Sequence, residues 1–140
     1  MKRRLVSLIV PCRNEVDFVD AFVAEALAQE RPPGWRIELI VADGASDDGT
    51  RERLAARTAV EPRLVLIDNP QRIVAAGLNR ALAAARGDVI VRMDVHTTYA
   101  PDYVAQCLAA LGRTGAANVG GPWRAEGEGP WGRAIAAVFA

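Results

Sequence analysis

The chain is 140 residues long, its 17 lysines and arginines are balanced by 17 aspartates and glutamates, and 51% of it is hydrophobic. That is one domain's worth of chain with enough apolar residues for a buried core, and zero net charge excludes a nucleic-acid binder acting through a bulk basic field. Two cysteines, Cys12 and Cys107, make no disulfide framework, so each is read as a small packing residue in a reducing compartment.

Lys2, Arg3 and Arg4 precede an apolar run, but the run is too short for a signal peptide and ends in Pro-Cys-Arg-Asn-Glu instead of a cleavage site. No stretch approaches ~20 uninterrupted apolar residues, so no transmembrane helix is expected. Leu5 to Val10 reads as a strand buried on both faces and closed by Pro11. After the loop Pro11–Glu15, Phe18, Val19, Phe22, Val23, Ala26 and Leu27 repeat at helical spacing, with Asp17 near the start and Pro32-Pro33-Gly34 at the end. Ile37 to Ala42 is a second strand stopping at Asp43, and Gly44 to Thr50 is a turn-rich loop before a short helix from Arg51 to Thr58. Leu64 to Ile67 is a third strand, followed by Asp68-Asn69-Pro70-Gln71-Arg72. An alanine-rich helix from Val74 to Ala85 ends at Arg86-Gly87. Val89 to Met93 is a fourth strand running into Asp94 and His96, the one histidine of the chain. Pro101 starts another helix with Val104, Cys107, Leu108 and Leu111 on one face, and Ala117 to Gly121 reads as a fifth strand.

Strands alternating with helices at this spacing imply right-handed crossovers and an α/β fold with a largely parallel sheet flanked by helices. Such sheets bind ligands outside the carboxyl ends of their strands. Here each strand end carries polar residues: Asn14 and Glu15, Asp43, Asp68 and Asn69, then Asp94 and His96. Period-2 geometry puts Asp94 and His96 on one side of the fourth strand, where a carboxylate and an imidazole can share a divalent cation.

The first loop has no glycine, which excludes the G-x-G-x-x-G dinucleotide fingerprint, and no G-x-x-x-x-G-K-[ST] phosphate loop occurs. An acidic rim repels a diphosphate unless a cation stands between them. The remaining acids can accept hydrogen bonds from a nucleobase imide or ribose hydroxyls. The expected ligand is a nucleoside diphosphate carrying a transferable group.

Four segments carry a resemblance: Ser7–Glu15 for S-[VI]-[IV]-[VI]-P-x-x-N-E, Val41–Thr50 for V-V-D-D-G-S-T-D-G-T, Gly77–Ala81 for the A-R-N-x-G helix, and Gly87–His96 for the strand ending in D-x-D. With them the chain resembles the family 2 glycosyltransferases of the nucleotide-diphospho-sugar transferase (GT-A) fold over about Ser7 to Gly121. The D-x-H form looks most like bacterial exopolysaccharide transferases of the succinoglycan-biosynthesis type. By position, the resemblance implies that Asp43 holds a uracil-type base and that Pro11, Asn14 and Glu15 pack against the nucleoside. It also implies that Arg72 reaches the base or phosphates, and that Asp94 contacts the ribose and the metal-bound diphosphate. His96 stands where the family places an acid ligand. Imidazole suits Mn²⁺ better than Mg²⁺, so a divalent cation with Mn²⁺ favoured is expected on Asp94 and His96. Asp47 and Asp48 are read as turn and capping residues, Asn79 as a structural hydrogen-bonder, and Trp35, Trp123 and Trp131 as packing residues, with a place bordering the sugar pocket as the alternative for Trp123 and Trp131.

The reaction implied is inverting transfer from a nucleoside-diphosphate-sugar, a UDP-sugar by the family's habit, to a saccharide or lipid-linked acceptor, with a carboxylate base. Asp102, Glu126 and Glu128 are the acids after His96, and none matches the family's base motif. The base is expected beyond residue 140, and 122–140 is read as an irregular, truncated tail. On that reading residues 1–140 are one incomplete domain, the donor-binding part of a longer enzyme that transfers sugar poorly or not at all alone. It would sit in the cytoplasm or at the inner face of the plasma membrane, with any membrane association coming from segments outside this chain. The rival reading is a non-catalytic nucleotide-sugar-binding module. A sugar-phosphate nucleotidylyltransferase is excluded because no G-G-x-G-[ST]-R-L loop follows the first strand.

Overall fold

A computed structural model describes residues 4–139. Its strands are β1 (Arg4–Cys12), β2 (Trp35–Asp43), β3 (Leu64–Asp68) and β4 (Val89–Arg92). Its helices are α1 (Val19–Leu27), α2 (Thr50–Thr58), α3 (Val74–Ala84), α4 (Tyr103–Thr114) and α5 (Gly129–Val138). The chain divides into two compact units, one through Gln106 and one from Cys107 onward.

In the first unit all four strands are parallel, in the order β3-β2-β1-β4. The chain steps outward from β1 to β2 to β3 and then crosses back to lay β4 on the other side of β1. Right-handed crossovers therefore put α1 and α2 on one face and α3 on the other. Side chains alternate between these layers. Ile9, Ile40, Ala42 and Ala81 form one cluster, with Val65, Ile67, Leu78 and Ala85 packed against it. Leu8, Val10, Leu39 and Val41, fully buried, take the other register and so face the opposite layer. Each such side chain contributes about 1.5–3 kcal/mol on burial.

β4 is fixed beside β1 by a polar clasp at the amino end of the sheet. Glu38, buried, accepts the Ser7 hydroxyl at 2.6 Å, the Arg86 amide at 2.9 Å and the Arg86 guanidinium at 2.6 Å. Burial alone would raise the Glu38 carboxyl, but the bonds from Ser7 and Arg86 outweigh it and hold it below the ordinary range. Ser7 Oγ also accepts the Gly87 amide at 2.8 Å. A Cβ at Gly87 would stand 2.6 Å from both the Ser7 nitrogen and the Ser7 hydroxyl, so only glycine admits this approach.

β1 runs two residues past Val10, through Pro11 to Cys12, and the reason is its register. Leu5 O accepts from Asp88 N–H and Ile9 O from Met93 N–H, whereas Cys12 O accepts from Gly44 N–H. The odd-numbered residues thus turn their backbone groups toward β4 and the even ones toward β2. Pro11 turns its nitrogen toward β4, whose pairing has already ended at Ile9↔Arg92, so the missing amide leaves no ladder bond unmade.

The second unit departs from expectation. Ala117 to Gly121 forms no strand: Gly120, Gly121 and Pro122 close the run, with little side chain to pack and no amide to donate at Pro122. The apolar, helix-like end of the segment 122–140 lies in α5, with Pro130 in its first turn. Trp131 and Trp123 are not buried packing residues; Trp131 is 83% exposed, and Trp123 meets Phe139 edge to face with centroids 6.4 Å apart. Among the described residues no helix is long and apolar enough to cross a membrane.

Candidate functional site

The carboxyl ends of the strands meet on one rim, since Cys12 pairs with Asp43 and Asp43 with Asp68. The chain reverses its direction of travel across the sheet between β1 and β4, the switch point where parallel sheets open a crevice. Among the described residues three non-glycine ones have positive φ, Asn14 (53°), Ala45 (55°) and Arg72 (61°). They lie in the loops after β1, β2 and β3, one in each. Left-handed backbone costs about 1 kcal/mol or more per non-glycine residue and collects where a site imposes the loop shape.

Hydrogen bonds lock the first two loops together. The Asn14 amide donates to Ser46 Oγ (2.9 Å), its side-chain nitrogen to Asp47 Oδ1 (3.0 Å), and its side-chain oxygen accepts the Asp47 amide (3.0 Å). The Glu15 amide donates to Thr50 Oγ1 (2.8 Å), whose hydroxyl donates to Asp48 Oδ1 (2.6 Å). Asp48 also accepts the Val16 and Thr50 amides, and the Thr50 hydroxyl first of all keeps its carboxyl below the usual range. Asp47 and Asp48 are therefore turn and helix-start residues, as expected. Asn14 acts as a clasp, and its side chain is spent on Asp47. Pro11 lies under α3, its Cβ 3.4 Å from where a Gly77 Cβ would be.

Asp43 is not an open contact. Its side chain is 0% exposed, and Oδ2 accepts Arg51 Nη1 at 3.2 Å and the Ser46 amide at 3.3 Å. Oδ1 is buried with no hydrogen-bond partner among the described residues. Arg51 Nη2 holds Asp68 Oδ1 at 2.6 Å. These bonds, that to Asp68 foremost, raise the Arg51 guanidinium above its ordinary value. Asn69 is also buried; it donates to the Ile73 carbonyl and leaves its own side-chain oxygen unpaired.

The same-side reading of Asp94 and His96 does not hold as drawn. β4 stops at Arg92, and Asp94 to Thr97 close a turn through the Thr97 amide and the Asp94 carbonyl (3.2 Å). His96, 69% exposed, turns to the first loop, where its Nδ1 lies 3.2 Å from Glu15 Oε1. Asp94 accepts Arg92 Nη2 at 3.4 Å, and its amide donates to the Tyr99 hydroxyl at 3.0 Å. The β4 loop is anchored further on by Gln29, buried, which donates to the Ala100 carbonyl and accepts the Val104 amide. Arg72 is exposed in the third loop. Asn79 is exposed on α3 and makes no side-chain hydrogen bond among the described residues, which corrects its structural reading. Asp102 accepts Gln106 Nε2 at 3.0 Å; Glu126 and Glu128 are exposed in the second unit. Cys12 is inert: burial first, then the nearby Asp43 and Glu15, push its thiol up to about 12.

No three His, Cys, Asp or Glu side chains converge on a cation site among the described residues. The chain therefore builds no cation cage of its own. Asp94 and His96 are the carboxylate and the imidazole that the turn after β4 carries, one beside Arg92 and the other beside Glu15.

The sequence reading missed Arg51, Thr50, Tyr99 and Gln29. Arg51 looked like the first residue of an ordinary helix, and nothing in its spacing reveals that it spans two strand-end acids. Thr50 in D-x-T spacing was the one visible signal.

A family model described as glycosyl transferase family 2 matches residues 7–136. The succinoglycan biosynthesis protein ExoA of Rhizobium meliloti is 39% identical over 115 residues, 80% of this chain and 34% of that protein. Among solved structures, the mannosyltransferase PcManGT of Pyrobaculum calidifontis, in complex with GDP-Man and Mn²⁺, superposes with a TM-score of 0.69 at 30% identity, over 79% of this chain and 33% of that one. The S. aureus TarS 1-349 complex with UDP-GlcNAc gives 0.63 at 18% identity over 88% and 38%, a likeness of fold alone. The architecture is the GT-A one, and the chain spans about a third of the length of these relatives.

Proposed function

The chain belongs to glycosyl transferase family 2, and from that we propose that its rim binds the nucleoside diphosphate of a sugar donor for transfer to a hydroxyl of a saccharide or lipid-linked acceptor. The observation that carries the reading is the rim itself, where the loops after β1, β2 and β3 each hold a non-glycine residue at positive φ, Asn14, Ala45 and Arg72, beside the strand-end acids.

Each residue then has a task. Asn14, Asp47 and Thr50 hold the first two loops in the shape that lines the nucleoside. Asp43 holds the second loop from within through Ser46 and Arg51, and Arg72 on the third loop offers a cation toward base or phosphates. Tyr99 and Gln29 orient the loop that presents Asp94 and His96. Asp94 and His96 would hold the cation, which when bound offsets diphosphate charge and stabilises it as a leaving group. Glu15 faces His96 and sets the direction of its ring. Imidazole in place of an acid favours Mn²⁺ over Mg²⁺. We read the transfer as inverting: the acceptor oxygen bonds to the anomeric carbon as the bond to the diphosphate breaks, and the hydroxyl proton passes to a carboxylate. Asp102, Glu126 and Glu128 are not assigned that role.

Calorimetric titration of the 140-residue chain with UDP and GDP, in Mn²⁺, in Mg²⁺ and in chelator, tests the reading. Cation-dependent binding, stronger in Mn²⁺, is expected. Failure to bind either nucleotide in any condition would refute it.

A further inference from the structure

β3 is the outer strand on one side of the sheet, and its open edge has a definite phase. The Leu39 amide donates to the Arg63 carbonyl and the Asn69 amide to the Asp43 carbonyl. The odd-numbered residues of β3 therefore turn their backbone groups to β2, and the even ones turn theirs outward. Among the described residues the Leu64 carbonyl, the Leu66 amide and carbonyl and the Asp68 amide find no partner. Such an edge is a template for a further extended segment.

The edge opens into a groove of about 610 Å³ with a wall on either side. Val65 and Ile67 pack on the α3 layer, so Leu66 faces the α2 layer, where Arg51 is held by Asp43 and Asp68. The α3 wall is made by Ala83, Ala84 and Arg80. Both alanines are exposed and too short to hold a partner's backbone away. Arg80 is exposed too, and its guanidinium makes no ion pair among the described residues.

We propose that the β3 edge docks an extended acidic peptide segment by strand addition. The residue opposite Leu66 is apolar and shares its face, and the residue beside it, on the α3 side, is an aspartate or glutamate that pairs with Arg80. Charge complementarity selects this occupant over a second copy of the chain. β3 itself carries Val65 and Ile67 on that side, so the same strand of another copy brings no acid to Arg80. The inference stands apart from the donor reading and uses none of its ligands.

The test uses a disulfide-closed β-hairpin peptide, preorganised as a strand, whose free edge reads Thr-Val-Glu-Val-Thr. It is labelled with fluorescein and titrated with the 140-residue chain, anisotropy being read. Saturable binding below about 1 mM is expected, and about tenfold weaker binding when lysine replaces the peptide's glutamate. Arg80→Glu, at a side chain without a partner, should reverse that order. Leu66→Pro removes the outward amide and no bond to β2, so it should weaken binding about tenfold in a variant that still melts cooperatively. No saturable binding by the wild type overturns the inference. So do equal affinities for the glutamate and lysine peptides, or an order unchanged in Arg80→Glu, a result that holds whether or not Leu66→Pro folds. Sedimentation equilibrium showing self-association that the hairpin displaces would make a second copy the occupant and overturn it as well.

Discussion

Replacing Thr50 by valine removes one hydroxyl and keeps the shape of the side chain. Thr50 is 0% exposed, and its Oγ1 both accepts the Glu15 amide at 2.8 Å and donates to Asp48 Oδ1 at 2.6 Å. The two losses are unequal. Asp48 is exposed and keeps the Val16 and Thr50 amides, so water replaces the lost donor at little cost. The Glu15 amide is part-buried and is left without an acceptor, which costs about 1–3 kcal/mol. Together the expected loss is about 2 kcal/mol, a roughly thirtyfold fall in the ratio of folded to unfolded chain. Urea unfolding of wild type, Thr50→Val and Thr50→Ser measures it, the serine keeping the hydroxyl and much of the stability. Because Glu15 faces His96, Thr50→Val should also weaken nucleotide binding in Mn²⁺ more than Thr50→Ser does. A valine variant within about 0.5 kcal/mol of wild type would show that the clasp between the first two loops is not held by this hydroxyl.

Changing Asp94 and His96 together to alanine should lower UDP affinity about tenfold or more and abolish its dependence on Mn²⁺, read by the same titration; unchanged affinity and metal response would remove both from the site. Gly87→Ala should cost about 1–3 kcal/mol in a thermal melt, because the added carbon meets Ser7 backbone at 2.6 Å. Gly112→Ala, inside α4 with nothing within 4 Å of the new carbon, should instead stabilise by about 0.5–1 kcal/mol. The Arg63 side chain and amide hold the Glu61 carboxyl at about 2, down from 4.5, so the unfolded chain binds more protons between those values. That stability is present above 4.5 and lost as pH falls toward 2. Asp20, bonded to Arg53 and Arg57, shifts the same way. Melting temperature should therefore fall across that window, and less steeply in Glu61→Gln.

The central strands were legible because both their faces are covered. Val6, Leu8 and Val10 on one face and Ile9, Ile40 and Ala42 on the other are all buried, and continuous apolar runs are the trace such burial leaves in a sequence. The rim was legible for a related reason, since each apolar run gives way to polar residues, Asn14 and Glu15, Asp43, Asp68 and Asn69, then Asp94 and His96. Local geometry past the strand ends was not. Whether His96 lies beside Asp94 or turns to Glu15 depends on one turn closed by the Thr97 amide, and side-chain periodicity carries no information once the strand has ended. Likewise Asp43 looked like an accessible acid, because the partners that enclose it, Arg51 and Ser46, come from a loop and helix whose approach only the folded chain defines. Asp48 and Thr50 were within reach of sequence reasoning, as short polar residues beside a glycine are made for turns.

Pro11 has a consequence for how the crevice stays open. After the bond from the Met93 amide to the Ile9 carbonyl the β1–β4 pairing ends, and a strand edge with amides to offer invites the next stretch of chain to zip onto it. The amide that such zipping would need at this point is the one that proline lacks, so the strand cannot recruit its neighbour by another rung. The ladder is thus stopped at a fixed rung, and the chain after each of these two strands goes into the loops of the rim instead of into a longer sheet.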